Sequence, residues 1–120
     1  FQCIGRKPRD SIMGDHDYCK LYVASEQSFE ALKSTVSAAL ETPLEGRTVE
    51  ARFMSVDCFV NKAYGDGDGF LYWPYYLEIE ISDGSDELEF VREVQNLIDT
   101  LKGEAMQVIA SCDFEDELTT

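Results

Sequence analysis

Histidine is nearly missing from this chain: His16 is the single imidazole among 120 residues. One imidazole cannot build a His-cluster metal site, and it removes most His-dependent catalysis. His16 sits between Asp15 and Asp17 in a loop-like segment with no Ser or Cys nucleophile tied to it by a motif, so it reads as a surface residue. Also absent are G-x-S-x-G, a P-loop, a G-x-G-x-x-G after a strand, and H-E-x-x-H. No apolar run approaches the ~18 residues of a membrane span, and no charged-then-apolar leader is visible. The four cysteines, Cys3, Cys19, Cys58 and Cys112, are far apart and form no C-x-x-C pair. They are expected to be free thiols, two or more of them in the core, of a cytoplasmic protein in a reducing setting. Together these absences predict a chain that is not an enzyme and uses no cofactor and no metal.

Positive charge is scarce too, with 10 Lys+Arg against 24 Asp+Glu, a net charge of -14 and a pI near 4.2. Such a surface repels nucleic acid and anionic lipid, and within a Debye length of about 8 Å it attracts basic partners. No direct nucleic-acid or membrane contact is therefore expected. The imbalance is lopsided: Phe1 to Leu77 carry 8 basic and 11 acidic residues, Glu78 to Thr120 only 2 and 13. Hydrophobic residues still make up 44% of the chain, enough for one folded domain and too little for two cores.

Residues 1–17 show no apolar periodicity and read as a flexible arm, with Met13 an alternative natural start; residues 18–120 form the single predicted domain. Tyr18 to Ala24 alternates as a strand. Ser25 offers a cap to a helix over Glu26 to Glu41, which Pro43 and Gly46 stop. Thr48 to Val60 reads as one strand whose alternation changes phase, reconciled by a bulge near Phe53. Asn61 to Gly69 is a turn-rich loop, and Tyr75 to Ile81 is the clearest strand. Ser85 is expected to cap a second helix with Leu88, Val91, Val94, Ile98 and Leu101 buried and Gly103 just past its end. Met106 to Phe114 reads as the last strand. The order β-α-β-β-α-β predicts an α+β fold of the ferredoxin-like, split βαβ kind: a four-stranded antiparallel sheet with both helices on one face. The other face would then show Tyr18, Lys20, Tyr22, Tyr76, Glu78 and Glu80.

Asp66-Gly67-Asp68-Gly69 has the composition of a calcium loop, but aligning Gly69 with the loop glycine puts Tyr64 and Tyr75 where carboxylates are needed. A mobile acidic loop is the better reading. Carboxylate pairs such as Glu78 with Glu80 could do acid–base work, yet among 24 acids such pairs arise without catalytic purpose. In the aromatic run from Phe70 to Tyr76, Trp73 is expected to be partly buried and Tyr72 and Tyr76 exposed.

With Trp73-Pro74 before a strand, the apolar spacing of Phe90, Val94, Leu97, Ile98 and Leu101, and a strand ending in the acidic run Cys112 to Leu118, the last half of the chain resembles small acidic bacterial immunity proteins. These include partners of contact-dependent growth inhibition toxins. The resemblance implies a cytosolic antitoxin that binds one cognate toxin domain, commonly a nuclease, and blocks its active site or substrate groove. Such proteins share no catalytic motif, so no residue roles carry over. The charge pattern agrees: carboxylates can lie where a nuclease holds phosphate, while aromatic side chains anchor the contact. The expected partner-binding set is Tyr72, Tyr76, Glu78, Glu80, Asp113, Glu115, Asp116 and Glu117, with Asp66 and Asp68 as second choice. The alternative is a dimeric or small-ligand-binding regulatory module that uses the open sheet face.

Overall fold

The computed structural model describes residues 17–120, and the predicted arm, with Cys3, Met13 and His16, lies outside the described residues except for Asp17. In chain order the elements are β1 (Tyr18–Ala24), α1 (Phe29–Leu40), β2 (Leu44–Glu45), β3 (Thr48–Glu50), β4 (Met54–Val60), β5 (Tyr75–Ile81), α2 (Glu87–Gly103) and β6 (Gln107–Ser111), with single 3-10 turns at Phe70–Tyr72 and Glu115–Glu117.

Strict alternation produces β1 and β5 over the predicted ranges. Cys19, Leu21, Val23, Leu77 and Ile79 are fully buried on one face of the sheet. The helices begin later than expected, each for a local reason. Ser25 spends its hydroxyl on the nearby Gln27 N–H at 2.9 Å, and Ser28 caps α1 by accepting from the Ala31 N–H at 3.1 Å. Asp86, not Ser85, caps α2, its carboxylate accepting from the Leu88 N–H at 2.9 Å. Carboxylates in that first turn also meet the positive end of the helix dipole.

The buried stripe of α2 is Phe90, Val94, Leu97, Ile98 and Leu101, and each of these side chains stabilises the fold by about 1.5–3 kcal/mol on burial. Phe90 and Leu97 stand in this stripe in place of the expected Leu88 and Val91: Val91 is half-buried at its edge, and Leu88 lies outside it. Leu88 stands two residues, some 200° of helix, from Phe90, and so points to solvent with 57% of its surface exposed. Gly103 is also not past the end: it is the last helical residue, Glu104 closes the helix, and Ala105 turns the chain with φ 66°.

The sheet is antiparallel, in the order β2-β3-β4-β5-β1-β6. The α+β class holds, but there are six strands rather than four. The difference comes from residues 44–60. The change of phase near Phe53 is no bulge; the chain reverses there, so that β3 pairs back on β4 with Thr48 opposite Asp57 and Glu50 opposite Ser55. Reversal puts Val49 on the same face as Met54, Val56 and Cys58, and all four are fully buried. Gly46, at φ 68°, supplies the tight turn between β2 and β3. The last strand is also shorter than predicted, because after Ser111 the chain bends and drops Phe114 into the core, edge-on to Phe90 at 5.8 Å. One hydrophobic core joins the inner face of the sheet to both helices.

Candidate partner-binding surface

The outer face of the sheet follows from pairing register. Tyr22, Tyr76 and Phe59 stand side by side across β1, β5 and β4. Lys20, Glu78 and Asp57 form the next row, and Tyr18, Glu80 and Ser55 the one beyond. Same-face rows are two residues apart along the strands, roughly 6.7 Å, so the aromatic row runs beside one of a lysine and two carboxylates and then one in which Glu80 is the single carboxylate.

In the aromatic row Tyr76 stacks on Phe59 with ring centres 4.9 Å apart and tilts against Tyr22 at 6.2 Å. The Lys20 ammonium lies over the Tyr76 ring at 4.3 Å and over Tyr22 at 4.9 Å, and the Arg47 guanidinium lies over Phe59 at 4.3 Å. The cations therefore cover aromatic faces, and Glu80 is exposed near the far end of its strand. Tyr22 corrects the expectation of a wholly open face: Phe70, from the 3-10 turn, packs edge-on to it at 5.2 Å and leaves it 9% exposed.

The structure brings together Tyr76, Glu78 and Glu80 and separates the rest of the expected set. Tyr72 is half-buried and packs on Gly67, where a Cβ would come within 2.8 Å of its ring; it holds the loop together instead of presenting an anchor. Trp73 is half-buried as expected. Asp66 and Asp68 are exposed on the β4–β5 loop, at the opposite end of the sheet from Glu80. Asp113 and Glu115 to Glu117 follow the end of β6. There Glu115 is a structural cap, its carboxylate accepting from the Cys112 N–H at 3.1 Å, while Asp116 and Glu117 are exposed. The tail then leaves the sheet for α2, where Thr119 N–H donates to Gln95 at 2.8 Å.

The topology nevertheless gathers carboxylates at one end. The start of β1, the end of β5, the start of α2 and the end of β6 all meet there, bringing Asp17, Glu80, Asp83, Asp86, Asp113 and Asp116 to one pole. The other end carries the aromatic loop and the cations Arg47 and Lys62. The hinge of that loop is Asn61, which the sequence reading passed over. It is buried and donates through Nδ2 to the carbonyls of Leu71 at 3.0 Å and Trp73 at 2.8 Å, while its Oδ1 accepts from the Ala63 N–H at 3.0 Å. An Asn at the mouth of a turn-rich segment is a signal that sequence reading can use.

Two hollows flank this end. One, of about 740 Å³, is lined by Ser25, Glu26, Gln27, Tyr64, Trp73, Pro74 and Gln107 among others. The other, of about 660 Å³, touches Arg47, Phe59, Lys62 and Cys58. Burial pushes the Cys58 thiol up to about 12, with Lys33 opposing and Asp57 reinforcing the shift, so at neutral pH it is not a thiolate. Cys19, Cys58 and Cys112 are buried free thiols, as expected of two or more of the four. Among the described residues there is no group of three or more His, Cys, Asp or Glu side chains placed to hold a metal ion, and no helix long and apolar enough to cross a membrane. Comparison with protein-family models, with curated proteins and with solved structures found no match to this chain.

Proposed function

We propose that this chain is an immunity protein, a cytoplasmic binding protein that neutralises a basic, nuclease-like toxin domain by laying its acidic outer sheet face in the toxin's active site or substrate groove. The observation that carries this reading is the adjacency of an aromatic row centred on Tyr76 to Glu78 and Glu80 on the same face. Aromatic side chains supply buried contact area at low entropic cost, and carboxylates steer the encounter and occupy positions where a nuclease binds phosphate. The acidic pole sets the direction of approach, while Lys20 over Tyr22 and Tyr76 keeps the rings in place before the partner arrives. Catalysis, cofactors and direct contact with nucleic acid or membrane play no part. In the same reading the four long strands, in the order β4-β5-β1-β6, are a split βαβ core to which the β2–β3 segment adds an edge.

The test takes the product of the reading frame beside the gene for this chain and asks first whether it is a basic domain that binds; a neighbour that is acidic or does not bind refutes the reading. Association is followed by stopped flow from low to high salt. Exchanging Glu78→Lys and Glu80→Lys together should slow association by about tenfold or more and flatten its salt dependence. The control, Asp66→Lys with Asp68→Lys, moves the same charge at the opposite end and should change the rate far less. Binding that ignores salt, or equal effects of the two pairs, refutes the electrostatic reading. A partner-free dimer that buries Tyr76 favours the regulatory-module alternative instead.

A further inference from the structure

Lys20 faces Ser111 across the β1–β6 ladder, and the antiparallel register carried one step further sets Cys19 against Cys112. The sulfurs are 3.0 Å apart, the Cys112 thiol donating to that of Cys19, and the residues are 0% and 1% exposed. Facing residues of an antiparallel ladder have Cα atoms roughly 4.5–5.5 Å apart, inside the range of about 4.4–6.8 Å that a disulfide spans. We propose that Cys19 and Cys112 form an oxidative modification site, closed by a small-molecule disulfide such as oxidised glutathione into an intramolecular cross-strand bond.

The two positions differ in access, and that difference orders the chemistry. Cys19 lies in β1, which is held by β5 on one side and β6 on the other. Cys112 follows directly on β6, a five-residue edge strand paired on one side only, so local opening of this end uncovers its sulfur while the centre of the sheet stays formed. The Cys112 thiolate attacks one sulfur of oxidised glutathione; that S–S bond breaks, a protein–glutathione disulfide forms, and one glutathione thiolate leaves. The Cys19 thiolate then attacks the Cys112 sulfur, forms the protein disulfide and expels the second glutathione. Two thiol protons from the protein end on the two glutathione thiols, and the pair of cysteines is oxidised by two electrons as the reagent is reduced by two.

Cys58 is excluded as a partner by topology. It lies on β4 opposite Leu77 of β5, which in turn pairs with Leu21 of β1, two strand spacings from the sulfur pair. The bond would tie the acidic segment after β6 to the sheet, but the linkage itself draws nothing from the proposed toxin binding and is tested separately.

The full chain is reduced, freed of reductant and titrated with oxidised glutathione. After blocking of the remaining thiols under denaturing conditions, peptide mapping of the wild-type protein should show Cys19 joined to Cys112, with Cys58 alkylated. The cross-link encloses 93 positions, so the oxidised form should melt higher by on the order of 10 °C. Cys58→Ala should still close; Cys112→Ala should not, and should show no adduct on Cys19. Overturning results are a disulfide that uses Cys3 or Cys58 in the wild-type map, glutathione left on single cysteines without closure, or no oxidation at oxidant ratios that fully convert a model dithiol.

Discussion

The buried thiol of Cys58 makes an alkaline weakness that can be measured. In the folded protein burial holds it up to about 12 against an ordinary 9.0, so between those values the native state keeps a proton that the unfolded chain has lost. The unfolded state then binds fewer protons, and stability falls as pH rises through the unfolded value, by about 1.4 kcal/mol per unit. From pH 8 to pH 10.5 the loss from this one group reaches about 2 kcal/mol, and it would continue to the folded value if the protein survived. Below pH 8 the group contributes no slope. Urea unfolding at intervals across that range, with a phosphine reductant present, gives the curve for the wild type. The same series on Cys58→Ala removes this group, and the difference between the two curves measures its contribution. The two slopes should diverge above pH 8.5, with the wild type losing more. Parallel curves would mean that Cys58 reaches solvent as a thiolate in the folded state, and the account of its burial would fall.

Phe114→Ala should cost about 3–5 kcal/mol in urea unfolding, because the ring is 1% exposed and packs edge-on to Phe90; Leu88→Ala, at 57% exposure, should stay within about 0.5 kcal/mol. A loss of several kcal/mol at Leu88 would reject its placement on the outer face of α2, and a negligible loss at Phe114 its place in the core. Glu41 closes α1 in the left-handed region at φ 51° and places a negative charge at the negative end of the helix. Replacement by glycine relieves both, and Glu41→Gly should raise stability by about 1 kcal/mol by thermal or chemical unfolding. An unchanged or lower midpoint would contradict the strained cap.

Some of this architecture is legible in sequence because a single local rule determines it. In β5, alternation over seven residues with no interruption leaves one register that buries Leu77 and Ile79, and the strand forms where the pattern says. The stripe of α2 is legible in part: Val94, Ile98 and Leu101 lie in it as expected, whereas Val91 is half-buried beside it and Phe90 and Leu97 complete it. Its first turn is less legible, since Leu88 is apolar but precedes the arc that meets the sheet. The 44–60 segment is ambiguous in principle: a bulge and a reversal both change the phase of alternation, and only pairing partners distinguish them. Here Thr48 opposite Asp57, with its hydroxyl donating to the Asp57 carboxylate, decides for reversal. Caps fail for a similar reason, because Ser25 and Ser28 are equivalent in type and differ only in which backbone N–H falls within reach.

The candidate surface was legible where it lies on one strand and illegible where it depends on the third dimension. Tyr76, Glu78 and Glu80 share a face by period alone, whereas the stacking of Phe59 on Tyr76 and the cover of Phe70 over Tyr22 need the sheet order and the path of the loop. The lopsided charge is the more instructive case. A run of acids late in a sequence does not imply an acidic region in space, since a chain that crosses a sheet several times scatters its residues over both ends. Here the scatter is avoided because β5 ends, α2 begins and β6 ends at the same edge of the molecule, so acids far apart in sequence, from Asp17 to Asp116, converge. Like charges brought together repel, and among them Asp86 is held by its role as the cap of α2. Glu80 and Asp116 satisfy no cap and are exposed, so the fold retains a repulsion that local structure does not require. Under the proposed function a cationic partner would relieve that repulsion on binding, so the acidic pole and the outer sheet face would act as one docking surface.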